Sequence, residues 1–258
     1  MKTRALAAAL LCCALHGADA QTPRTIRFAA EEWPPFVTPT LPEDGMSGSL
    51  MHAVFDKLGY SVRIDYFPWR RTFELGRRDP RYAGVAVVYH TAEREAMCHF
   101  SVPIASTLIV LVSLKEQPVR TSRIADLRGV RIGTVAGYSN GDEFDTLAHQ
   151  GRIEVEEGVN DETNLRKLLV RRFPAIVIER RVLRHLLASR FAPAERERIV
   201  IDERPFRERP MHICFKKSPE GLIQQRAFND AARAFDFVQM EKDYWRRVGQ
   251  QGGGNLDG

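Results

Sequence analysis

The sequence predicts an α/β fold, in which mostly parallel sheets are flanked by helices. The first observation is that short apolar runs alternate with segments whose apolar residues recur at helical spacing, in two successive series. The second is that Pro103 interrupts this pattern between the two series. The third is a number of strands and helices about twice that of a small domain. The last two observations favour two lobes over the alternative of one large sheet.

The first series lies between Thr25 and Tyr89. Its predicted strands are Thr25–Ala30, the alternating run Ser61–Phe67 and the continuous apolar run Gly84–Tyr89. Its predicted helices are Ser49–Leu58, which Gly59 ends, and Arg70–Gly76.

The second series begins with Leu108–Leu114, the most hydrophobic of the predicted strands. Further strands are predicted at Val130–Val135, Ile153–Val155, Ala175–Ile178, Ile199–Ile201 and His212–Phe215, and helices at Asp142–His149, Glu162–Arg172, Val182–Ser189, Glu220–Phe237 and Glu241–Val248. The polar, Gly-rich segment 251–258 predicts a disordered tail.

The composition is that of an ordinary globular protein. Of the 258 residues, 44% are hydrophobic and 28% are charged, which excludes a disordered chain, a collagen-like fibre and a polytopic membrane protein. The net charge of +5 comes from interspersed charges of both signs, 38 basic and 33 acidic. This mild excess argues against nucleic acid as the main partner.

The N-terminus predicts export. Lys2 and Arg4 form a charged start before Ala5–Leu15, an apolar run too short to span a bilayer. The sequence Ala-Asp-Ala at 18–20 then matches a small-x-small cleavage pattern. We therefore expect a signal peptide at 1–20 and a soluble mature protein in the periplasm. A short amphipathic helix is the alternative.

Removal of this peptide leaves Cys98 and Cys214 as the cysteines of the mature chain. In an oxidising compartment, two such distant thiols suggest one long-range disulfide, with two buried, unpaired thiols as the alternative. The seven histidines are scattered and no CxxC motif occurs, so we expect no metal site and no cofactor.

Five segments, taken in order, carry a family resemblance. They are Glu32–Phe36 (EWPPF), Gly48–Gly59 ending in Leu-Gly, Thr91–Pro103 (TAER followed by FSVP), Leu127–Ser139 (LRGVRIG followed by GYS) and Asn164–Glu179 (Asn-Leu, then Ala175 and Glu179). Together they resemble the family 3 extracellular solute-binding proteins, the polar amino-acid-binding components of bacterial ABC importers. Each segment alone has low specificity, but the five in order cover nearly all of residues 24–248.

The resemblance implies the type II periplasmic-binding-protein, or Venus-flytrap, architecture. Two α/β lobes would be joined by two crossing strands that act as a hinge, with the ligand in the cleft between the lobes. Lobe 1 would comprise residues 24–105 and 205–250, and lobe 2 residues 106–204. The crossings would lie near Pro103–Ser106 and Ile201–Pro205. Both cysteines would then lie in lobe 1 near a crossing, which favours the disulfide.

The resemblance also implies the function. The protein would be a monomer that captures an amino acid or a related carboxylate, closes around it and docks on the membrane permease of an ABC importer. Two alternatives stay open, because the same fold hosts secreted dehydratases acting on prephenate-like carboxylates, and a stand-alone sensor would also bind a ligand. No Walker loop, GxGxxG or GxSxG motif supports nucleotide or acyl-hydrolase chemistry.

Three polar residues match ligand-binding positions of the family. Arg94 would clamp the ligand carboxylate, since a planar guanidinium offers two parallel N–H donors and stays charged when partly buried. Ser139 would bind the other side of the carboxylate near a helix N-terminus, with a plain N-cap as the alternative. Glu179 ends a strand where the family has an acid for the ligand ammonium. In a dehydratase it would donate a proton, and helix initiation is its alternative role.

Four aromatic residues complete the predicted site. Trp33 and Trp69 match family aromatics that sandwich the ligand side chain, and neighbouring prolines favour a loop position for both. Tyr89 and Tyr138 occupy neighbouring positions and would narrow the pocket. Tyr89 stands where the family commonly has a small hydroxyl residue, so the identity of the ligand stays open.

Overall fold

The computed structural model of the chain describes the backbone of residues 24–252 and the side chains up to Val248. The predicted signal peptide at 1–20 lies outside this range, as do residues 253–258 of the predicted tail. The last helix extends to Gly252, so the first two residues of that tail are helical. Extending an existing helix by one residue is far easier than starting a new one.

Strands and helices alternate along the described chain, as predicted. The strands are β1 (Arg24–Ala30), β2 (Tyr60–Tyr66), β3 (Gly84–Tyr89), β4 (Cys98–Phe100), β5 (Ala105–Leu114), β6 (Arg131–Val135), β7 (Glu154–Gly158), β8 (Ala175–Glu179), β9 (Ile199–Asp202) and β10 (Glu208–Lys216). The helices are α1 (Met46–Lys57), α2 (Trp69–Arg78), α3 (Ala92–Glu95), α4 (Asp142–His149), α5 (Asp161–Leu169), α6 (Arg180–Arg190), α7 (Pro193–Arg196), α8 (Pro219–Ala232) and α9 (Phe237–Gly252).

The two halves of the sheet have the same plan. The strand order is β2-β1-β3-β10-β5-β8-β6-β7. On one side β2, β1 and β3 are parallel, and β10 is antiparallel to β3. On the other side β7, β6 and β8 are parallel, and β5 is antiparallel to β8. Each half forms the sheet of one lobe, so the predicted two-lobed α/β architecture is confirmed.

β5 and β10 connect the lobes. They pair antiparallel over residues 105–108 and 208–211. Beyond this segment β5 continues into lobe 2 beside β8, and β10 continues into lobe 1 beside β3. The paired segment of β10 begins after the predicted crossing at 201–205, because Phe206 still packs in the core of lobe 2. Two short paired strands between lobes are suited to hinge motion.

Aromatic rings fill the core of lobe 1. Phe28 of β1, Phe55 of α1, Phe215 of β10 and Phe228 of α8 are buried, with centroids of neighbouring rings 5.3–6.4 Å apart. Ring pairs at such distances add stability beyond the burial of their area. The cluster joins the segment before the first crossing to the segment after the second.

A disulfide joins Cys98 of β4 to Cys214 of β10, with their Cα atoms 5.1 Å apart. It lies in lobe 1 beside Val85 and Val88 of β3. Over the part of the chain that the structure describes, no helix is long and apolar enough to cross a bilayer, and no group of His, Cys, Asp and Glu side chains is arranged to hold a metal ion.

Candidate functional site

A cavity of about 40 Å³ lies between the lobes. It is lined by the predicted site residues Trp33, Trp69, Tyr89, Arg94, Tyr138 and Ser139, together with Glu31, Val37, Ala86, Val87, Val88 and Met211. Lobe 1 contributes the segments after β1 and around β3, and lobe 2 contributes the loop after β6. A space of this size fits little more than water. A larger molecule would fit only with the lobes further apart.

Arg94 extends from α3 into the wall of this cavity. The Thr91 hydroxyl caps α3 by accepting a hydrogen bond of 3.2 Å from the Arg94 backbone N–H. The Arg94 side chain donates to the Tyr89 carbonyl at 2.9 Å and, across the cleft, to the Gly137 carbonyl at 3.2 Å. Its guanidinium carbon lies 5.1 Å from the centroid of the Trp69 ring. The residue is 8% exposed.

A second arginine, which the sequence analysis did not single out, contacts Tyr89 and Ser139 of the cavity wall without lining the cavity itself. Arg209 of β10 stacks over the Tyr89 ring at 4.3 Å and donates to the carbonyl (2.8 Å) and hydroxyl (3.1 Å) of Ser139. Burial, and after it the charge of Arg209, lower the pKa of Arg94 to about 10, so Arg94 stays protonated at neutral pH. Neither arginine forms an ion pair with a carboxylate of the described residues. A buried guanidinium without such an ion pair is suited to an anion.

Ser139 is held in place by groups from both lobes. Its hydroxyl donates to Asp145 of α4 at 2.7 Å and accepts from Arg209. The other oxygen of Asp145 accepts from the Asn140 backbone N–H at 2.9 Å. The N-cap of α4 is Gly141. Ser139 therefore faces the cavity and is not the N-cap that was its alternative role.

Two acidic residues mark the other end of the cleft, and the sequence analysis missed both. Glu31 follows β1 in lobe 1 and accepts a hydrogen bond of 2.6 Å from the Tyr138 hydroxyl of lobe 2. Asp161 begins α5 in lobe 2 and accepts a hydrogen bond of 3.1 Å from Trp33 Nε1 of lobe 1. Burial raises the pKa of each carboxyl to about 7, and the charge of Asp161 adds to the shift of Glu31.

The four predicted aromatic residues form a continuous contact between the two ends. Trp69 begins α2 after Pro68, rather than lying in a loop, and its Nε1 donates to the Gly137 carbonyl at 2.8 Å. The Tyr138 ring meets Trp69 edge-on at 5.8 Å and Trp33 at 6.5 Å. Trp33 in turn lies 6.1 Å from Tyr89. Edge-to-face pairs of this kind contribute about 0.5–1.5 kcal/mol beyond the area they bury.

A bulge at the end of β3 shapes the cavity floor. His212 and Cys214 of β10 pair with Val88 and Val85, so β3 holds one extra residue between these pairs. Val87, inside the bulge, has a φ of +54°, which β-branched residues rarely adopt. Bulges beside binding sites re-aim the side chains that follow.

Glu179, the seventh predicted residue, does not line the cavity. Its carboxylate caps α6 by accepting hydrogen bonds from the backbone N–H groups of Arg181 (2.5 Å) and Val182 (2.8 Å), and from Leu108 (3.4 Å). It is 4% exposed, and burial raises its pKa to about 7. β8 continues directly into α6, so the chain has no loop there to carry the acid into the cleft. The structure gives Glu179 the helix-initiating role that was its alternative.

Solved structures of amino-acid-binding proteins resemble this chain. An ancestral arginine-binding protein bound to arginine matches with a TM-score of 0.69 and 19% identity over 88% of this chain and 98% of the other. The chain has the fold of amino-acid-binding proteins. The GluR0 ligand-binding core from Nostoc punctiforme in complex with L-glutamate matches with a TM-score of 0.68 and 22% identity, over 86% of this chain and 98% of the other. An amino acid ABC transporter substrate-binding protein from Streptococcus pneumoniae bound to L-arginine matches with a TM-score of 0.68 and 14% identity, over 86% of this chain and 94% of the other.

No family profile and no curated protein matches the sequence. At these identities the structural likeness establishes the fold, and it confirms at that level the resemblance that the five motifs predicted. The two-lobed fold has its cleft where the six predicted residues meet. What binds there has to be argued from the side chains of this chain.

Proposed function

We propose that the chain is an exported substrate-binding protein. It captures a small carboxylate ligand, an amino acid or a related compound, in the cleft between its lobes and delivers it to the membrane permease of an ABC importer. The fold shared with amino-acid-binding proteins supports the binding role, and the signal-peptide pattern at 1–20 supports export.

The observation that carries this proposal is the buried guanidinium of Arg94. Its hydrogen-bond partners are the carbonyl oxygens of Tyr89 and Gly137, which accept hydrogen bonds but do not neutralise its charge. A carboxylate that replaces the Gly137 carbonyl would supply both a countercharge and a bidentate acceptor. Ser139, in the facing lobe, would bind the same group while its hydroxyl is bonded to Arg209.

Binding and closure would be coupled, because the site is assembled from both lobes. Arg94 and Trp69 belong to lobe 1, whereas Ser139 and Tyr138 belong to lobe 2. A ligand that contacts both lobes binds the closed form better than the open form and shifts the population toward it. The closed protein is then the form that docks on the permease.

The test is calorimetric titration of residues 21–258 with amino acids and related carboxylates. Arg94→Ala is expected to weaken binding by about 100-fold or more, because an unpaired buried charge costs ~3–5 kcal/mol. Arg78→Ala is the matched control, since Arg78 is exposed on α2 and pairs with Glu74 outside the cavity. Wild-type affinity in Arg94→Ala would refute this site.

A dehydratase of the same fold is the second candidate, and it needs an acid that reaches the ligand. The acid expected for that role, Glu179, is enclosed by three backbone N–H groups and lies outside the cavity. Incubation with prephenate-like carboxylates, followed by product detection, separates the two functions. Consumption of the ligand would favour the enzyme, and stable binding without product would favour the binding protein.

A further inference from the structure

The closed cleft carries charges of opposite sign at its two ends. Arg94 and Ser139 line one end, where Arg209 bonds the Ser139 hydroxyl from outside the cavity. Glu31 and Asp161 lie at the other end, each bonded to an aromatic residue of the opposite lobe. The rings described above stand between them. A ligand that spans the cleft would contact the arginine end with one of its ends and the two carboxylates with the other.

The acidic end has its own space. A second cavity, of about 180 Å³, is lined by Glu31, Trp33, Tyr138 and Asp161, and it shares the first three of these residues with the cavity around Arg94. His185 and Arg190 of α6 also line it, but no hydrogen bond joins them to Glu31 or Asp161. Neither acid forms an ion pair with a basic side chain of residues 24–248.

This end is suited to an organic cation. Two carboxyls from opposite lobes face one space, and the rings of Trp33 and Tyr138 form its walls. Carboxylates give charge-assisted hydrogen bonds to ammonium and guanidinium groups. Aromatic faces attract the same groups, and quaternary ammonium as well.

An α-ammonium group, by contrast, has no free acid beside Arg94, since Glu31, which lines the same cavity, accepts a hydrogen bond from the Tyr138 hydroxyl. Glu179 lies outside the cavity and is held by backbone N–H groups. Asp145 also lies outside, with one oxygen bonded to Ser139 and the other to the Asn140 N–H. An amino acid has its ammonium one carbon from the carboxylate, so that charge would be left without a partner at the arginine end.

We infer that the ligand carries its positive charge at the end remote from its carboxylate, as an ω-amino, ω-guanidino or ω-trimethylammonium acid does, and that it needs no α-ammonium. This inference rests on the proposed function. The carboxylate binds Arg94 and Ser139, and the methylene chain lies against the aromatic wall. The cation binds between Glu31 and Asp161, in place of the bond from Tyr138.

The first test compares each basic amino acid with its analogue lacking the α-amino group. Arginine is paired with δ-guanidinovalerate and lysine with ε-aminocaproate, and γ-aminobutyrate and γ-trimethylammoniobutyrate vary the length and the cation. Hexanoate is the control without a cation. Titrations of residues 21–258 are run at about pH 8, where both acids are ionised because their pKa is about 7.

We expect at least one acid without an α-amino group to bind within about threefold of its amino acid, and hexanoate about 100-fold more weakly. If every such analogue binds about 100-fold more weakly than its amino acid, or if only α-amino acids with uncharged side chains bind, this inference is wrong and the proposed function stands. If no carboxylate binds at all, the proposed function itself fails.

The second test removes one charge from the acidic end. Asp161→Asn keeps an acceptor for Trp33 Nε1. It should weaken the binding of ω-cationic acids by about 10- to 100-fold and change the affinity for hexanoate by no more than about twofold. Glu154→Gln is the control, an exposed acid of β7 in the same lobe. An equal loss for hexanoate and the cationic acids would show that Asp161 is structural, and would overturn the inference.

Discussion

The Tyr138 hydroxyl of lobe 2 donates a hydrogen bond of 2.6 Å to the Glu31 carboxylate of lobe 1. A bond in the opposite sense lies nearby, from Trp33 of lobe 1 to Asp161 of lobe 2. Both bonds cross the cleft, so both form only when the lobes are closed. The protonation of the two acids is therefore linked to closure of the protein.

This linkage predicts a pH dependence. The folded protein holds Glu31 at a pKa of about 7 against an ordinary value of 4.5, so between these values the folded state binds more protons than the unfolded state. Stability from this group is present at low pH and is lost as the pH rises toward 7. We expect the unfolding free energy of the wild type, relative to Glu31→Gln, to fall from about pH 5 to about pH 7 and then level off.

The measurement is denaturant unfolding of both proteins at matched pH values. Taking the difference removes the contribution of His99, His185 and His212, whose pKa values burial lowers and which act in the opposite direction. A difference that stays constant with pH would contradict the burial of Glu31 in the closed cleft.

A contact away from the cavity also holds the lobes together. Arg181 of α6 pairs with Glu241 of α9, and its guanidinium carbon lies 5.1 Å from the centroid of the Trp245 ring. Arg181→Ala should favour the open form, raising the radius of gyration without ligand and weakening binding by about 3- to 10-fold, because such contacts contribute ~1 kcal/mol.

Small-angle scattering and titration check this prediction. Arg166→Ala is the matched control, since Arg166 also has an ion pair, with Glu162, and a ring beneath it, Phe191, but all three belong to lobe 2. An Arg181→Ala protein as compact and as tight-binding as Arg166→Ala would show that the contact does not govern closure.

Both the backbone conformation and the close neighbours of Gly137 disfavour any larger residue there. Its φ is +80°, and a Cβ there would lie 3.1 Å from Trp69 Cδ1, next to the carbonyl that accepts from Trp69 and Arg94. Gly137→Ala should lower both stability, by about 1 kcal/mol, and ligand affinity. Gly129→Ala has a similar φ of +75° and open space around it, so it should lower stability alone. Equal affinities in the two variants would argue against the interlobe contact.

The disulfide should be a major source of stability. Cys98 and Cys214 are 116 residues apart in sequence, and closing so long a loop restricts the unfolded chain by about 3–5 kcal/mol. Unfolding of the wild type with and without reductant, and of the double variant Cys98→Ala/Cys214→Ala, measures this loss. Ligand affinity should stay within about twofold, because neither cysteine lines the cavity. Equal midpoints under both conditions would mean that the thiols are unpaired in the mature protein.

Much of the fold was predictable because its elements have local patterns. Gly84–Tyr89 and Asp142–His149 have the predicted bounds, since an apolar run and an amphipathic period mark them directly. β4, α3 and α7 were missed because three or four residues are too few to show a period. The position of the second crossing depends on which lobe buries Phe206, and that is a property of the assembled core.

The residues that line the cleft were predictable where a motif marked them and not where the partner lies in the other lobe. Arg94, Trp33 and Ser139 belong to segments that resemble a family, and they line the cavity. Asp161 has no local signal, because its partner Trp33 is 128 residues away. Glu179 is the converse case: its strand-end position suggested the cleft, whereas in the structure its carboxylate caps the helix that starts beside it.

The disulfide also determines the covalent topology of the chain. Cys98 precedes the first crossing strand and Cys214 lies on the second, so everything between them, including all of lobe 2, forms one closed loop. A protease that cuts once within this loop would leave both fragments joined, as one band on a gel without reductant and two with it. Helices α8 and α9, which complete lobe 1, would stay attached to the strands before the cut.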